Sequence, residues 1–111
     1  MSVIATDIAM ADPFLVLTVE SPSSVRCVGT LDGMTGHHLV DTVDEMLAAQ
    51  PDTIAIDIER LRLADRDAAE ALNKVQHRAK QAGTTVRWHG VGADHLRTAP
   101  HLAYRTSLKA A

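Results

Sequence analysis

Hydrophobic positions along the chain switch several times between a period of two and a period near 3.6, and the switches mark the elements. Phe14 to Glu20 is strand-like, Ser21-Pro22-Ser23-Ser24 supplies turn chemistry, and Val25 to Leu31 predicts a second strand, so the chain starts with a hairpin. Asp32-Gly33 breaks that strand. Thr35 is placed to cap a helix running to about Ala49, in which Leu39, Val43, Met46 and Leu47 fall at i, i+4, i+7 and i+8. Pro51 cannot continue it, and Asp52 opens the next strand. From Thr53 to Ile58, Ile54, Ile56 and Ile58 alternate with Ala55 and Asp57, the β-branched run of a central strand.

Glu59 to Ala64 reads as a loop leading from that strand into a helix, and Asp65 is positioned to accept one of the helix's first N–H groups. The helix is expected from about Arg66 to Gln81, with Ala68, Ala71, Leu72, Val75 and Ala79 on one face. Those small side chains allow a close approach to the sheet. Lys80 suits the negative end of the helix, and Gly83 supplies the left-handed residue that commonly closes one. Thr84 to His89 predicts the last strand. A short helix follows at Ala93 to Arg97, Pro100 interrupts it, and a further short helix or tail lies beyond His101.

This alternation of strands and helices predicts an α/β fold whose sheet is partly parallel and packed by helices. A chain of 111 residues without internal repeat or low-complexity linker is expected to form one domain. The C-terminal end of an inner strand meets a helix N-terminus near Asp65, and open α/β sheets place recognition surfaces at such ends.

Charge changes the picture more than composition does. A net charge of −3, with three aromatic residues in all, argues against nucleic acid as a partner. Residues 1–59 nevertheless carry ten acids against one base, Arg26, for −9, whereas residues 60–111 carry ten bases against four acids, for +6. If strands from both halves interleave in one sheet, that asymmetry becomes acidic and basic regions able to steer a protein partner; a merely solvated surface is the equal alternative. Cys27 is the only cysteine, so no intrachain disulfide can form, and a reducing cytoplasm fits. Met1 to Asp12 lacks the basic residues of a secretory signal, and no apolar run reaches the length of a membrane span, so membrane insertion is not expected.

Catalytic chemistry finds little to stand on. The six histidines include the pair His37-His38, but adjacent helical positions point apart, and His77, His89, His95 and His101 fall in different elements. No metal site, catalytic group or cofactor is expected, with a small metal-dependent enzyme using the histidines and carboxylates as the remoter alternative. Ser23 and Ser24 lie in a turn with no evident base, and Gly90-Val91-Gly92 lacks the further glycines of a phosphate cradle. Asp41, Asp44 and Glu45 read as the wet face of the first helix, and Trp88 as a packing residue.

Five fragments in order carry a resemblance: Gly29-Thr30-Leu31-Asp32 with Thr35; the Ile54 to Ile58 strand; Leu61-x-Leu63-x-Asp65; Gln81-Ala82-Gly83; and Ala93-Asp94-His95-Leu96-Arg97. Over roughly residues 14–106 the chain resembles STAS domains, the fold of bacterial anti-sigma factor antagonists. The resemblance implies a mixed, largely parallel sheet of about four to five strands with helices packed on one side. It also implies a non-enzymatic module that binds an anti-sigma factor or related regulatory protein, and it leaves room for association with a second copy. STAS accessory subunits of lipid ABC transporters resemble this fold too.

The chain departs from the antagonists' pattern at one point. Their Asp-Ser-Ser-Gly signature, whose first serine a partner kinase phosphorylates, reads Asp65-Arg66-Asp67-Ala68 here. The acceptor hydroxyl is absent, and Arg66 puts a fixed positive charge beside the positive helix end, offset by Asp65 and Asp67. The partner surface that the resemblance implies comprises Thr30, Asp32, Asp65, Arg66, Asp67, Ala68, Ala69, Glu70 and Lys74, with Gln81 further along the helix. For Asp65 the plain alternative is a helix cap, for Arg66 and Asp67 a solvated helix end, and for Asp32 a loop carboxylate satisfying local N–H groups.

Overall fold

A computed structural model describes residues 15–102. The strands are β1 (Leu15–Ser21), β2 (Ser24–Leu31), β3 (Thr53–Leu63) and β4 (Thr85–His89); the helices are α1 (Gly36–Leu47), α2 (Arg66–Gln81) and α3 (Ala93–Thr98). The sheet order follows the chain, β1-β2-β3-β4, with β1 antiparallel to β2 and the other pairs parallel. The expected strand position at Phe14, the N-terminal segment read against a signal peptide, and the end of the chain beyond Leu102 lie outside the described residues.

Alternation puts Val25, Cys27 and Leu31 of β2 on the same face as Ile54, Ile56 and Ile58 of β3 and Val86 and Trp88 of β4, and all are buried. Leu39, Val43 and Leu47 of α1 and Ala68, Leu72, Val75 and Ala79 of α2 close over them in one core. The apolar face expected for α2 is the face it buries. Where α1 and α2 meet they do so through small residues: a Cβ added to Gly36 would lie 3.0 Å from Cβ of Ala71. Burial, with the negative charge of Asp57 adding to it, pushes the Cys27 thiol up to about 12, so it packs as an inert apolar group.

The segment from Glu59 to Ala64, expected as a loop, is largely strand. β3 continues to Leu63 because β2 keeps pairing with it, Gly29 with Leu61 and Leu31 with Leu63. Between Arg26–Asp57 and Val28–Arg60 the register slips by one residue, a bulge that absorbs the Ile58-Glu59 step. The slip restores the inward alternation, so Leu61 and Leu63 return to the core side while Arg60 and Arg62 face away. Asp57 accepts the Glu59 N–H at 3.0 Å, which fixes the bulge.

β4 pairs only as far as Asp57, leaving the upper part of β3 with an open edge that α3 meets. His95 Nε2–H donates to the Leu61 carbonyl at 2.6 Å while Nδ1 accepts the Gly92 N–H at 2.9 Å. Because Nδ1 accepts, Nε2 is the nitrogen that donates. The other buried polar group of note, Gln76 on α2, accepts from the indole N–H of Trp88, so the packing tryptophan also ties β4 to α2.

The two charge-biased halves of the sequence do not interleave, since the strand order is sequential. Both signs occur in each layer instead. Arg60, Arg62 and Arg87 lie with Asp57 on the sheet face turned away from α1 and α2, and Asp32, Asp41, Asp67 and Glu70 line the groove between those helices together with Lys74 and Arg78.

Candidate functional site

The chain leaves β2 at Leu31 and enters α1 through a four-residue loop whose hydrogen bonds are nearly all internal. The Asp32 carboxylate accepts the Met34 N–H at 2.8 Å and the Thr35 N–H at 3.0 Å through one oxygen. The Thr35 hydroxyl accepts the Asp32 N–H at 3.0 Å and has both the Thr30 carbonyl, at 3.2 Å, and the Asp32 carboxylate, at 3.1 Å, in reach as acceptors. Thr35 therefore stands at the cap position of α1 without capping it; its hydroxyl is turned back to brace the loop. Partial desolvation acts to raise the Asp32 pKa, but the hydrogen bonds from the Met34 and Thr35 N–H groups and the Thr35 hydroxyl outweigh it and hold the carboxyl below the ordinary value.

A carboxylate held low in the fold stabilises it above the unfolded pKa and ceases to do so as pH falls through the folded value. Acidification below the ordinary aspartate range, about pH 4, is therefore expected to loosen this loop. Asp32→Asn should remove that component of the acid-induced stability loss, measured by denaturant titration at pH 3 to 6, and an unchanged profile would contradict the assignment.

The second half of the site begins one strand over. β3 ends at Leu63, and Asp65, in extended conformation, accepts the Ala68 N–H through Oδ1 at 2.9 Å, so the expected cap is present. Its other oxygen receives a long hydrogen bond, 3.4 Å, from the Gly33 N–H. One carboxylate thus links the mouth of α2 to the Asp32 loop, a connection that reading Asp65 as a local cap does not anticipate. Gly33 also lies against Asp67: a Cβ there would sit 2.7 Å from Asp67 Oδ2. Asp65→Ala is expected to cost about 1 kcal/mol as a lost cap and to raise amide exchange at Gly33 and Met34. A cost near zero with unchanged exchange would show that the bridge does not operate.

α2 ends as the sequence expects. Gly83 is left-handed (φ 78°), its N–H donating to Lys80 O while the Thr84 N–H reaches Ala79 O at 2.8 Å. The termini therefore fix α2, and with it the residues its first turns present.

Asp65, Arg66, Asp67, Glu70 and Lys74 are exposed, and Asp32 and Ala69 are half-buried. Arg66 forms no ion pair within the described residues. Two members of the expected surface are placed differently. Ala68 is fully buried and faces the core, contributing its N–H to the cap. Thr30 offers the loop its carbonyl, while strand alternation puts its side chain with Arg62 on the far face of the sheet. Gln81 lies a full helix length away from the mouth.

Between α1 and α2 runs a groove of about 370 Å³ that starts at Asp32 and Gly33 and is floored by Gly36, Val40 and Ala71. Asp41, Asp67 and Glu70 border it, with Lys74 and Arg78 further along, and Arg78 is engaged by Asp44 at 2.7 Å. Asp41, which reads from sequence as simple wet face, therefore belongs to the same groove. Met34, at the crest of the loop, went unmarked by periodicity because it belongs to no repeating apolar pattern, yet it is 80% exposed. Among the described residues no three His, Cys, Asp or Glu side chains are grouped as metal ligands would be, and no helix is long and apolar enough to cross a membrane.

The family model described as "Mlab, STAS domain" matches residues 16–103. Among solved structures, an anti-sigma factor antagonist from Mycobacterium paratuberculosis aligns with a TM-score of 0.61 at 20% identity, covering 92% of this chain and 86% of that one. The STAS domain of an antisigma-factor antagonist from Rhodobacter sphaeroides aligns with a TM-score of 0.54 at 18% identity, covering 78% and 89%. No curated protein matches the chain significantly.

Proposed function

Since this chain belongs to the STAS domain family, we propose that it is a non-enzymatic docking module of the anti-sigma factor antagonist kind, acting in the cytoplasm by occupying an anti-sigma factor or related regulatory protein. The observation that carries the reading is the joining of the Asp32 loop to the mouth of α2 by the Asp65 carboxylate, which makes one continuous exposed surface from two separate elements. Asp32, Asp65, Arg66, Asp67, Ala69, Glu70 and Lys74 form that surface, and no step of its action calls for a cofactor. Two solved structures with this fold are anti-sigma factor antagonists, which supports the class of partner.

Arg66 occupies the place where the resembling family carries its phosphorylated serine. A phosphate there would add about −1.5 to −2 charges at the positive end of α2. The chain carries instead a permanent cation between two carboxylates, so docking is not released by phosphorylation at that residue. The accessory-subunit reading, docking on the ATPase of a lipid ABC transporter, uses the same surface and is favoured by that missing hydroxyl, since such a subunit needs no kinase.

Affinity capture from the native cell, followed by incubation of the recovered partner with ATP, tests the first reading. An anti-sigma-type protein should be recovered and should place no phosphate on residue 66, whereas Arg66→Ser should become a substrate if that protein is a kinase. Recovery of a transporter ATPase alone would overturn the assignment in favour of the second. Arg66→Glu is expected to weaken binding by about 1 kcal/mol, roughly fivefold. The same charge reversal at Arg87, on the far face of the sheet, should leave binding unchanged, and equal effects from both would remove the surface.

A further inference from the structure

Two large apolar side chains stand exposed among the described residues, Val19 at 53% and Met34 at 80%. Val19 lies on the edge strand β1. Met34 crowns the loop that Asp32 and Thr35 brace, beside the acidic end of the α1–α2 groove. We infer that Met34 is the apolar anchor of the docking surface, inserting into an apolar pocket of a protein partner whose rim carries Lys or Arg opposite the groove and an acid opposite Arg66. The inference rests on the docking reading above and adds to it the residue that supplies the affinity and the chemistry that receives it.

A methionine left in water contributes nothing to the fold, while its transfer to an apolar site is favourable in proportion to the area removed from water. The loop that carries it is already ordered by the hydrogen bonds to Asp32 and Thr35, so its backbone entropy was lost on folding and need not be lost again on binding. An unbranched thioether also adapts to a pocket it has not met before better than a branched side chain does.

The groove gives the partner its charge pattern. Asp32, next but one to Met34 in the chain, borders it with Asp41, Asp67 and Glu70, and none of the four enters an ion pair among the described residues. Lys74 lies further along, and Arg78 is already held by Asp44. A partner with basic groups around its pocket meets the acids, and one with an acid placed toward Lys74 is oriented along the groove. Opposite charges of this kind set encounter rate and register, while a buried apolar anchor sets the lifetime of the complex.

The test places the photo-crosslinking residue p-benzoylphenylalanine at position 34 of the full chain in the native cell, with position 19 as control. The cross-linked protein is then purified, and its Kd for the chain is measured by calorimetry. The inference expects an adduct with a different protein from position 34 and none from position 19. Met34→Ser should weaken the Kd about 30-fold, as truncation of an anchor does, and Met34→Leu should stay within about fivefold of the original. Both variants should keep the circular dichroism of the parent, since position 34 is outside the core. No adduct at position 34, an adduct with a second copy of the chain or with lipid, or a Met34→Ser change under about threefold would overturn it. If Arg66→Glu weakens binding while Met34→Ser does not, the docking surface stands and the anchor falls; if neither does, both fall.

Discussion

Replacing Gly90 with alanine is expected to destabilise the fold by about 2–4 kcal/mol, from overpacking and a left-handed backbone together. Gly90 has φ 77°, and an added Cβ would lie 2.6 Å from the Cα and 2.8 Å from the N of Glu59. Those are backbone atoms at the bulge of β3, and they can yield only if the bulge yields. Gly83 makes the comparison sharp. It is also left-handed, yet an added Cβ there meets nothing within 4 Å, so Gly83→Ala should carry only the conformational cost, about 1 kcal/mol. Urea titration of both variants checks the contrast. Equal costs would mean that the chain leaving β4 at Gly90 does not pass against the Glu59 backbone.

Leu72→Ala is expected to cost about 2–5 kcal/mol, a large share of the roughly 5–15 kcal/mol that holds a domain of this size together. Leu72 is fully buried, in the middle of the apolar face that α2 lays on the sheet. Truncation removes its transfer free energy and leaves a cavity that Val75 and the β3 isoleucines cannot fill without moving. The urea midpoint should fall while the denaturant slope stays the same. Lys74→Ala, two residues on and exposed, should change the midpoint little. A Leu72→Ala cost below about 1 kcal/mol would show that α2 is not packed on the sheet.

These two sites also show how much of the fold was legible. α2 announces itself at both ends and along its face: Asp65 as cap, Gly83 as stop, and Ala68, Ala71, Leu72, Val75 and Ala79 at helical spacing. The hairpin is equally plain, because Pro22-Ser23 separates two runs that pair as Leu15 with Gly29 through Val19 with Val25. β3 beyond Ile58 was not legible. Glu59-Arg60 puts two charged residues in succession, which ends a period of two on paper, whereas a bulge absorbs one of them and lets the strand resume at Leu61.

The candidate site divides in the same way. Local chemistry shows in sequence only in part: Asp65 reads as a helix cap and is one, whereas Thr35 reads as one and braces its own loop instead. What a single sequence does not show is which second group a carboxylate reaches across 32 positions, here the N–H of Gly33. Nor does residue type alone tell which loop side chain is left bare. Met34 is exposed because the Asp32 and Thr35 hydrogen bonds turn the loop outward, and Ala68 is lost to a partner because the turn of α2 directs it inward. His95 follows the same rule, since its role depends on a Leu61 carbonyl left free only where β4 stops short.

If the Asp32 loop and the mouth of α2 form one protein-docking surface, a bound partner covers both at once. Hydrogen–deuterium exchange of the chain, alone and saturated with the protein captured from its native cell, measures this most directly. Slowed exchange is expected at residues 32–36 and 65–70, together and in the same complex, with the Arg60, Arg62 and Arg87 face of the sheet unchanged. Protection confined to that arginine face, with the loop and the helix mouth exchanging as they do in the free chain, would contradict it.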